Sequence, residues 1–272
     1  MRRRPLLPFF ALAYLFSWVV WAPLAAHGLG WSARHASPYL HLVGGLGPLV
    51  AAVVVTAACD GRAGLASLRA SAVAVRGRFS WIAFAVAAPL VLFAVAAAAQ
   101  RFVWVGQVGW ADLGRSVEYP ALGRGAYWVA NIVCYGFGEE VGWRGFALPR
   151  LQARGSALRS ALLVGVAWAG WHLPLFAFAG GLSAMGAAGI AGWASSILTG
   201  SMLMTWLFNT SRGSILAVAL FHGVLDIVMS SPLHGGVPFV MGALITLCGI
   251  SIPILLHAEN LARHARVQAL PA

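Results

Sequence analysis

No aspartate, glutamate, lysine or arginine occurs between Arg159 and Arg212, a run of 52 residues. That gap constrains the fold more than any other feature. Soluble domains carry about 25% charged residues, and a soluble chain could not cover its surface across such a stretch. The rest of the sequence agrees, because only 9% of the 272 residues are charged and 60% are hydrophobic. A disordered tail, a coiled coil, a collagen-like fibre and a secreted disulfide scaffold are excluded. The sequence therefore predicts an all-α, polytopic membrane helical bundle.

A bilayer core about 30 Å thick needs about 20 apolar residues per helix. Windows of that kind fall at Pro5–Ala26, Pro38–Cys59, Phe79–Gln100 and Gly125–Arg144. The charge-free stretch is too long for one span. Gly180-Gly181 divides it into spans at about 160–179 and 186–208, and two more follow at 213–230 and 237–258. The count is about eight. The first run is too long for the core of a signal peptide and reads as a span that stays. The short alternating segments of a β-barrel are absent. No repeat or separate soluble domain stands out, so residues 1–272 read as one integral membrane domain.

Every one of the 18 basic residues is arginine, against 7 acids. With the N-terminus in the cytoplasm, fourteen arginines fall on inner segments. The other four, Arg34, Arg101, Arg115 and Arg124, fall outside. The positive-inside rule then places both termini in the cytoplasm. The basic excess reads as contact with membrane lipid, not nucleic acid, since no basic patch alternates with exposed aromatics. Trp31, Trp104, Trp110 and Trp128 suit an aromatic belt. Gly192, Ser196 and Gly200 form a small-residue seam for helix contact, and Gly145–Ser156 reads as an amphipathic segment on the inner interface. Cys59, Cys134 and Cys248 stand singly, as small apolar residues.

Ionisable groups inside spans are costly and are functional candidates by default. Glu139, Glu140 and Arg144 close the fourth span, His172 lies in the fifth, and His222 and Asp226 lie in the seventh. Glu140 and Arg144 are four apart and share a helix face, as an ion pair would require. Glu139 points about 100° away and has no local partner; a histidine, a water or a metal must meet it. Pro174 disturbs the helix just past His172 and frees backbone groups that suit a polar cavity. His222 and Asp226 share a face, where a carboxylate can fix an imidazole tautomer. At about 1.5 Å per residue, His172, His222 and Asp226 lie some 14–20 Å from the inner face. His27, His35, His41, His234, His257 and His264 fall near loops or span ends and read as interfacial.

One carboxylate and two histidines on three helices suit activation of a hydrolytic water. Either Glu139 and His172 polarise it directly, or a Zn²⁺ held by Glu139, His172 and His222 lowers its pKa.

These residues resemble the CAAX prenyl protease and bacteriocin-processing family of intramembrane proteases, also called the Abi family. Its E-E-x-x-x-R block is matched by Glu139, Glu140 and Arg144. Its F-x-x-x-H block is matched at His172, with Trp168 in the place of Phe. Its H-x-x-x-N/D block is matched by His222 and Asp226. The motif-bearing core covers about 125–230. The resemblance implies an eight-helix bundle with a conical cavity open to cytosol and lipid. It implies a water activated by Glu139 and His172, and an oxyanion steadied by His222 and Asp226. Trp168 would alter cavity shape, and Asp226 could donate to an oxyanion only when protonated.

The expected function is an intramembrane endopeptidase, glutamate- or metal-dependent, in the bacterial plasma membrane. Its expected partner is a membrane-associated peptide or protein substrate. The arginine-only, alanine-rich composition points to a GC-rich bacterium and away from a prenylated CAAX substrate. A non-catalytic self-immunity protein and a proton-coupled transporter are the alternatives.

Overall fold

The computed structural model describes residues 5–103, 109–233 and 236–269. Arg2, Arg3, Arg4, Trp104, His234 and the side chain of Arg101 lie outside the described residues. Within these there are helices and no strands. Helix α1 spans Leu6–Gly28, α2 Tyr39–Gly45, α3 Gly47–Val73 and α4 Phe79–Val103. Residues 124–152 are helical throughout but change pitch four times. The order is α5 (Arg124–Asn131), a π-helical segment (Ile132–Phe137), α6 (Gly138–Gly142), a second π-helical segment (Trp143–Ala147) and α7 (Leu148–Gln152). Helices α8 (Ala157–Trp171), α9 (Gly186–Thr210), α10 (Ile215–Met229) and α11 (Val237–Leu255) complete the bundle.

Among the described residues, six helical stretches are long and apolar enough to cross a membrane. The other two expected spans differ for physical reasons. Helix α10 has 15 residues, about 22 Å of rise. It lies inside the bundle, against α3, α4, α5, α6 and α9, so it does not have to match the lipid thickness. The 124–152 stretch is long enough but carries Glu139, Glu140, Arg144 and Arg150, so its average apolarity is low. The protein is a multi-pass helical membrane bundle.

Hydrophobic collapse does not hold helices together in lipid; close packing and interhelical hydrogen bonds do. The 124–152 stretch is gripped from two sides at glycines. A Cβ on Gly136 would lie 2.5 Å from the Ala219 carbonyl oxygen of α10, and one on Gly142 would lie 2.4 Å from Pro48 Cβ of α3. The expected seam in the sixth span behaves differently. Gly192 has nothing within reach of a Cβ, while Gly249 of α11 sits 2.2 Å by the same measure from the Thr199 carbonyl oxygen. The small residue that allows that approach is on the partner helix.

Gly145–Ser156 is partly buried in the bundle. Its first part continues the buried 124–152 stretch, with Phe146, Ala147, Leu148 and Gln152 inaccessible. Gln152 is fixed by Asn209, which accepts from its Nε2 at 3.1 Å and donates to its Oε1 at 2.8 Å. The segment after α11 lies across this end of the bundle, and the Val267 carbonyl accepts a second bond from Gln152 at 2.6 Å. Trp31, Trp110 and Trp128 are exposed, as a belt requires.

Candidate active site

The two π-helical segments flank α6, whose five residues carry the paired glutamates. Each π turn is a local departure of the kind found at functional sites. Glu139, Glu140, Arg144 and His222 are all buried. The predicted Glu140–Arg144 pair forms, with Arg144 Nη1 2.9 Å from Glu140 Oε1. The same oxygen accepts from His222 Nδ1 at 2.9 Å. Glu140 therefore ties α6 to α10 as well as to its own helix. Its Oε2, and Nε and Nη2 of Arg144, have no hydrogen-bond partner among the described residues. The Arg144 guanidinium instead lies over the Trp168 ring, 5.0 Å from the centroid, where the ring quadrupole attracts it.

Trp168 meets Glu139. Its indole Nε1 donates to Glu139 Oε2 at 2.5 Å, so the acid with no local partner is met from α8 by a side chain expected to act only on cavity shape. The indole also faces both histidines edge-to-face or tilted, at 5.3 Å from the His222 ring and 5.7 Å from that of His172.

His172 sits where α8 stops. A serine cap opens the helix, with Ser156 Oγ accepting from Arg159 N at 3.2 Å. It closes at Trp171 and tightens into a 3-10 turn at Leu173–Ala177, with Pro174 at its start. The His172 backbone N–H turns to the Ala169 carbonyl. The Trp168 carbonyl is then free to accept from His172 Nδ1 at 2.7 Å. A carbonyl only accepts, so the proton is on Nδ1 and Nε2 presents a lone pair. Helix α1 pins the same end, Trp18 Nε1 donating to the Trp171 carbonyl at 3.0 Å and Tyr14 donating to that of Ala167.

Asp226 is not the partner of His222 that the shared face suggests. Its Oδ2 accepts from Asn131 Nδ2 at 2.6 Å. Asn131 is fully buried in α5 and was not singled out from sequence; the only signal was a lone amide in an apolar span. A chain of bonds continues through Tyr127, whose hydroxyl accepts from Asn131 Nδ2 at 3.3 Å and lies 2.6 Å from Ser230 Oγ. Ser230 closes the ring by donating to the Asp226 carbonyl at 2.7 Å. His41, expected at the interface, is half-buried. It bonds Glu118 at 2.8 Å and lies against Tyr135 and Phe178.

The fit to a metal fails on geometry. Among the described residues no three of His, Cys, Asp and Glu form a group able to hold an ion.

Residues 122–228 match the model of the family described as type II CAAX prenyl endopeptidase Rce1-like. That stretch contains all three motif blocks. Over these residues the chain is similar to the CAAX protease family. A curated family relative, CAAX prenyl protease 2 of Methanococcus maripaludis, is 32% identical over 94 residues. The alignment covers 33% of this chain and 34% of the relative, so the two correspond over about a third of their lengths. Within the motif blocks, Trp168 and Asp226 are the residues that bond Glu139 and Asn131.

Proposed function

We propose that this chain is an intramembrane endopeptidase in which Glu139 is the general base. The observation that carries the reading is how the polar groups are committed. Each imidazole is bonded through Nδ1, and Glu139 is bonded through one carboxylate oxygen. Three reactive positions are left for a shared water and a peptide carbonyl: the second Glu139 oxygen and the two Nε2 atoms.

In this reading Glu139 takes a proton from water while the His172 Nε2 lone pair accepts a hydrogen bond from the water's other hydrogen. The hydroxide adds to the scissile carbonyl carbon, and charge develops on the carbonyl oxygen. His222 in its imidazolium form donates Nε2–H to that oxygen, with Glu140 as its counter-ion. Collapse breaks the C–N bond, and the amine leaves with the proton from Glu139. Asp226, occupied as an acceptor by Asn131, supports the His222 helix and is not the oxyanion donor.

The proposed substrate is a membrane-associated peptide or protein presented from lipid, and the proposed location is a bacterial plasma membrane. The test is cleavage of a labelled membrane peptide by the purified full chain in vesicles. Glu139→Gln keeps the shape of the side chain but cannot take the proton. It should insert and bind peptide normally and lose at least about 10²-fold in rate. Turnover near the normal level in folded Glu139→Gln removes the reading.

A further inference from the structure

Helix α3 continues past its membrane crossing. Gly61 sits at φ 62°, in the left-handed region, and there the helix breaks and resumes in a new direction to Val73. In the second piece Leu65, Leu68 and Ala72 recur at spacings of three and four and form an apolar face, and Arg62 and Arg69, one heptad apart, border its edge next to Leu65. Leu68 reaches the helix of the site: a Cβ on Gly145 would come within 3.1 Å of Leu68 Cδ1.

A groove of about 240 Å³ separates this piece from the crossing part of α3. Leu49 and Val53 form one wall, Leu65, Leu68 and Ala72 the other, and Val141 the floor. Arg69 also lines it and is exposed. Residues 61–78 contain Arg62, Arg69, Arg76 and Arg78 and no acid. The neighbouring acid, Asp60, is paired with Arg150. Arg69 has no ion-pair or hydrogen-bond partner for its guanidinium among the described residues.

We propose that this groove holds one acyl chain of an anionic phospholipid, with the lipid phosphate against the Arg69 guanidinium. The charge and shape select that occupant. Guanidinium and phosphate match in charge and hydrogen-bond geometry, and four arginines with no acid favour an anionic over a zwitterionic headgroup. A peptide in the groove would bring backbone N–H and C=O groups to apolar walls that cannot bond them. A second copy of the chain has few acids to offer, with 7 in all. Val141 lies between Glu140 and Gly142, so an acyl chain in the groove packs on the segment that carries the paired glutamates.

The test needs no substrate, so it stands apart from the cleavage reading. The full chain is equilibrated with vesicles of equal phosphatidylglycerol and phosphatidylcholine, and retained lipid is read by native mass spectrometry. Wild type should keep one phosphatidylglycerol. Arg69→Gln should lower that population about fivefold, equivalent to about 1 kcal/mol for one surface arginine. Ala72→Phe fills the groove with the charge intact and should also remove the lipid. Arg154→Gln, at an exposed arginine outside the groove, should change nothing. Equal retention of the two lipids by wild type, or unchanged phosphatidylglycerol in Arg69→Gln, overturns the proposal. Loss in Arg69→Gln with retention in folded Ala72→Phe also overturns it, because the chain is then not in the groove.

Discussion

Trp168→Phe isolates one hydrogen bond at the proposed base. Phenylalanine keeps an aromatic ring between the two histidines and under Arg144, but it removes the Nε1–H that holds Glu139 Oε2 at 2.5 Å. A hydrogen bond to a charged acceptor contributes about 1.5–3 kcal/mol. Glu139 makes no other hydrogen bond to the described residues, so this one bond sets the plane of its carboxylate. Without it the side chain samples other rotamers. A misplacement of about 1 Å costs on the order of 10²-fold in rate. If the full energy of the bond goes into orientation, the loss is about 10- to 100-fold in kcat. KM should stay within about threefold, because the bond does not face substrate. Truncation to alanine would add a packing loss of about 3–5 kcal/mol, and phenylalanine avoids most of it. The assay is steady-state cleavage of a membrane peptide in vesicles, with kcat and KM separated. The double variant Trp168→Phe/Glu139→Gln should be no slower than Glu139→Gln alone, since the indole acts through the carboxylate. A kcat for Trp168→Phe within twofold of wild type refutes the argument, and so does a double variant that multiplies the two losses.

His172→Ala should lose a factor similar to that of Glu139→Gln, and the pair together little more, because both act on one water; single-turnover rates of the three variants check this. Arg144→Ala leaves Glu140 buried without its cation, at a cost of about 3–5 kcal/mol, and should lower the yield of folded protein; normal yield with abolished cleavage would place Arg144 on the substrate. Asn131→Asp sets two carboxylates against each other and should reduce yield, and Asp226→Asn should restore it by reversing the bond; a double variant no better than the single one rules out the pairing as the cause. Reporter fusions after Ala272 and in the Gly180-Gly181 loop should place the C-terminus inside and the loop outside, and an active periplasmic reporter at Ala272 would contradict the arginine distribution.

The class of fold was legible because a 52-residue stretch without charge admits few alternatives, and the Glu140–Arg144 pair because four-residue spacing on one helix is local. What the sequence hid is tertiary. Nothing in the spacing of Glu139 pointed to an indole 29 positions on, and the partner of His222 proved to be Glu140, 82 positions away, in place of the helical neighbour Asp226. Asn131 was visible only as a lone amide in an apolar span. Of the seam at Gly192, Ser196 and Gly200, Gly192 is open while Gly200 meets Ile245 of α11, because small residues show where two helices can approach, not where they do. The break at Gly61 had a signal, the Asp60-Gly61-Arg62 step, just past the expected span end at Cys59.

The cluster is an expensive way to hold a bundle together. Moving an ion out of water costs several kcal/mol even after relaxation, and a buried pair often stabilises less than apolar residues of the same volume. Here three carboxylates, one guanidinium and two imidazoles lie close together, and Glu140 Oε2, two Arg144 nitrogens and Asn131 Oδ1 remain without partners among the described residues. A cluster selected for stability would use those atoms. The glycine contacts at Gly136 and Gly142, the π-helical segments around α6 and the α1 bonds to the end of α8 all fix backbone around these residues, so the fold's close packing is spent on holding them in one arrangement. That distribution suits the proposed site, in which Glu139, His172 and His222 are each held through one atom and the other is left for the proposed water and carbonyl.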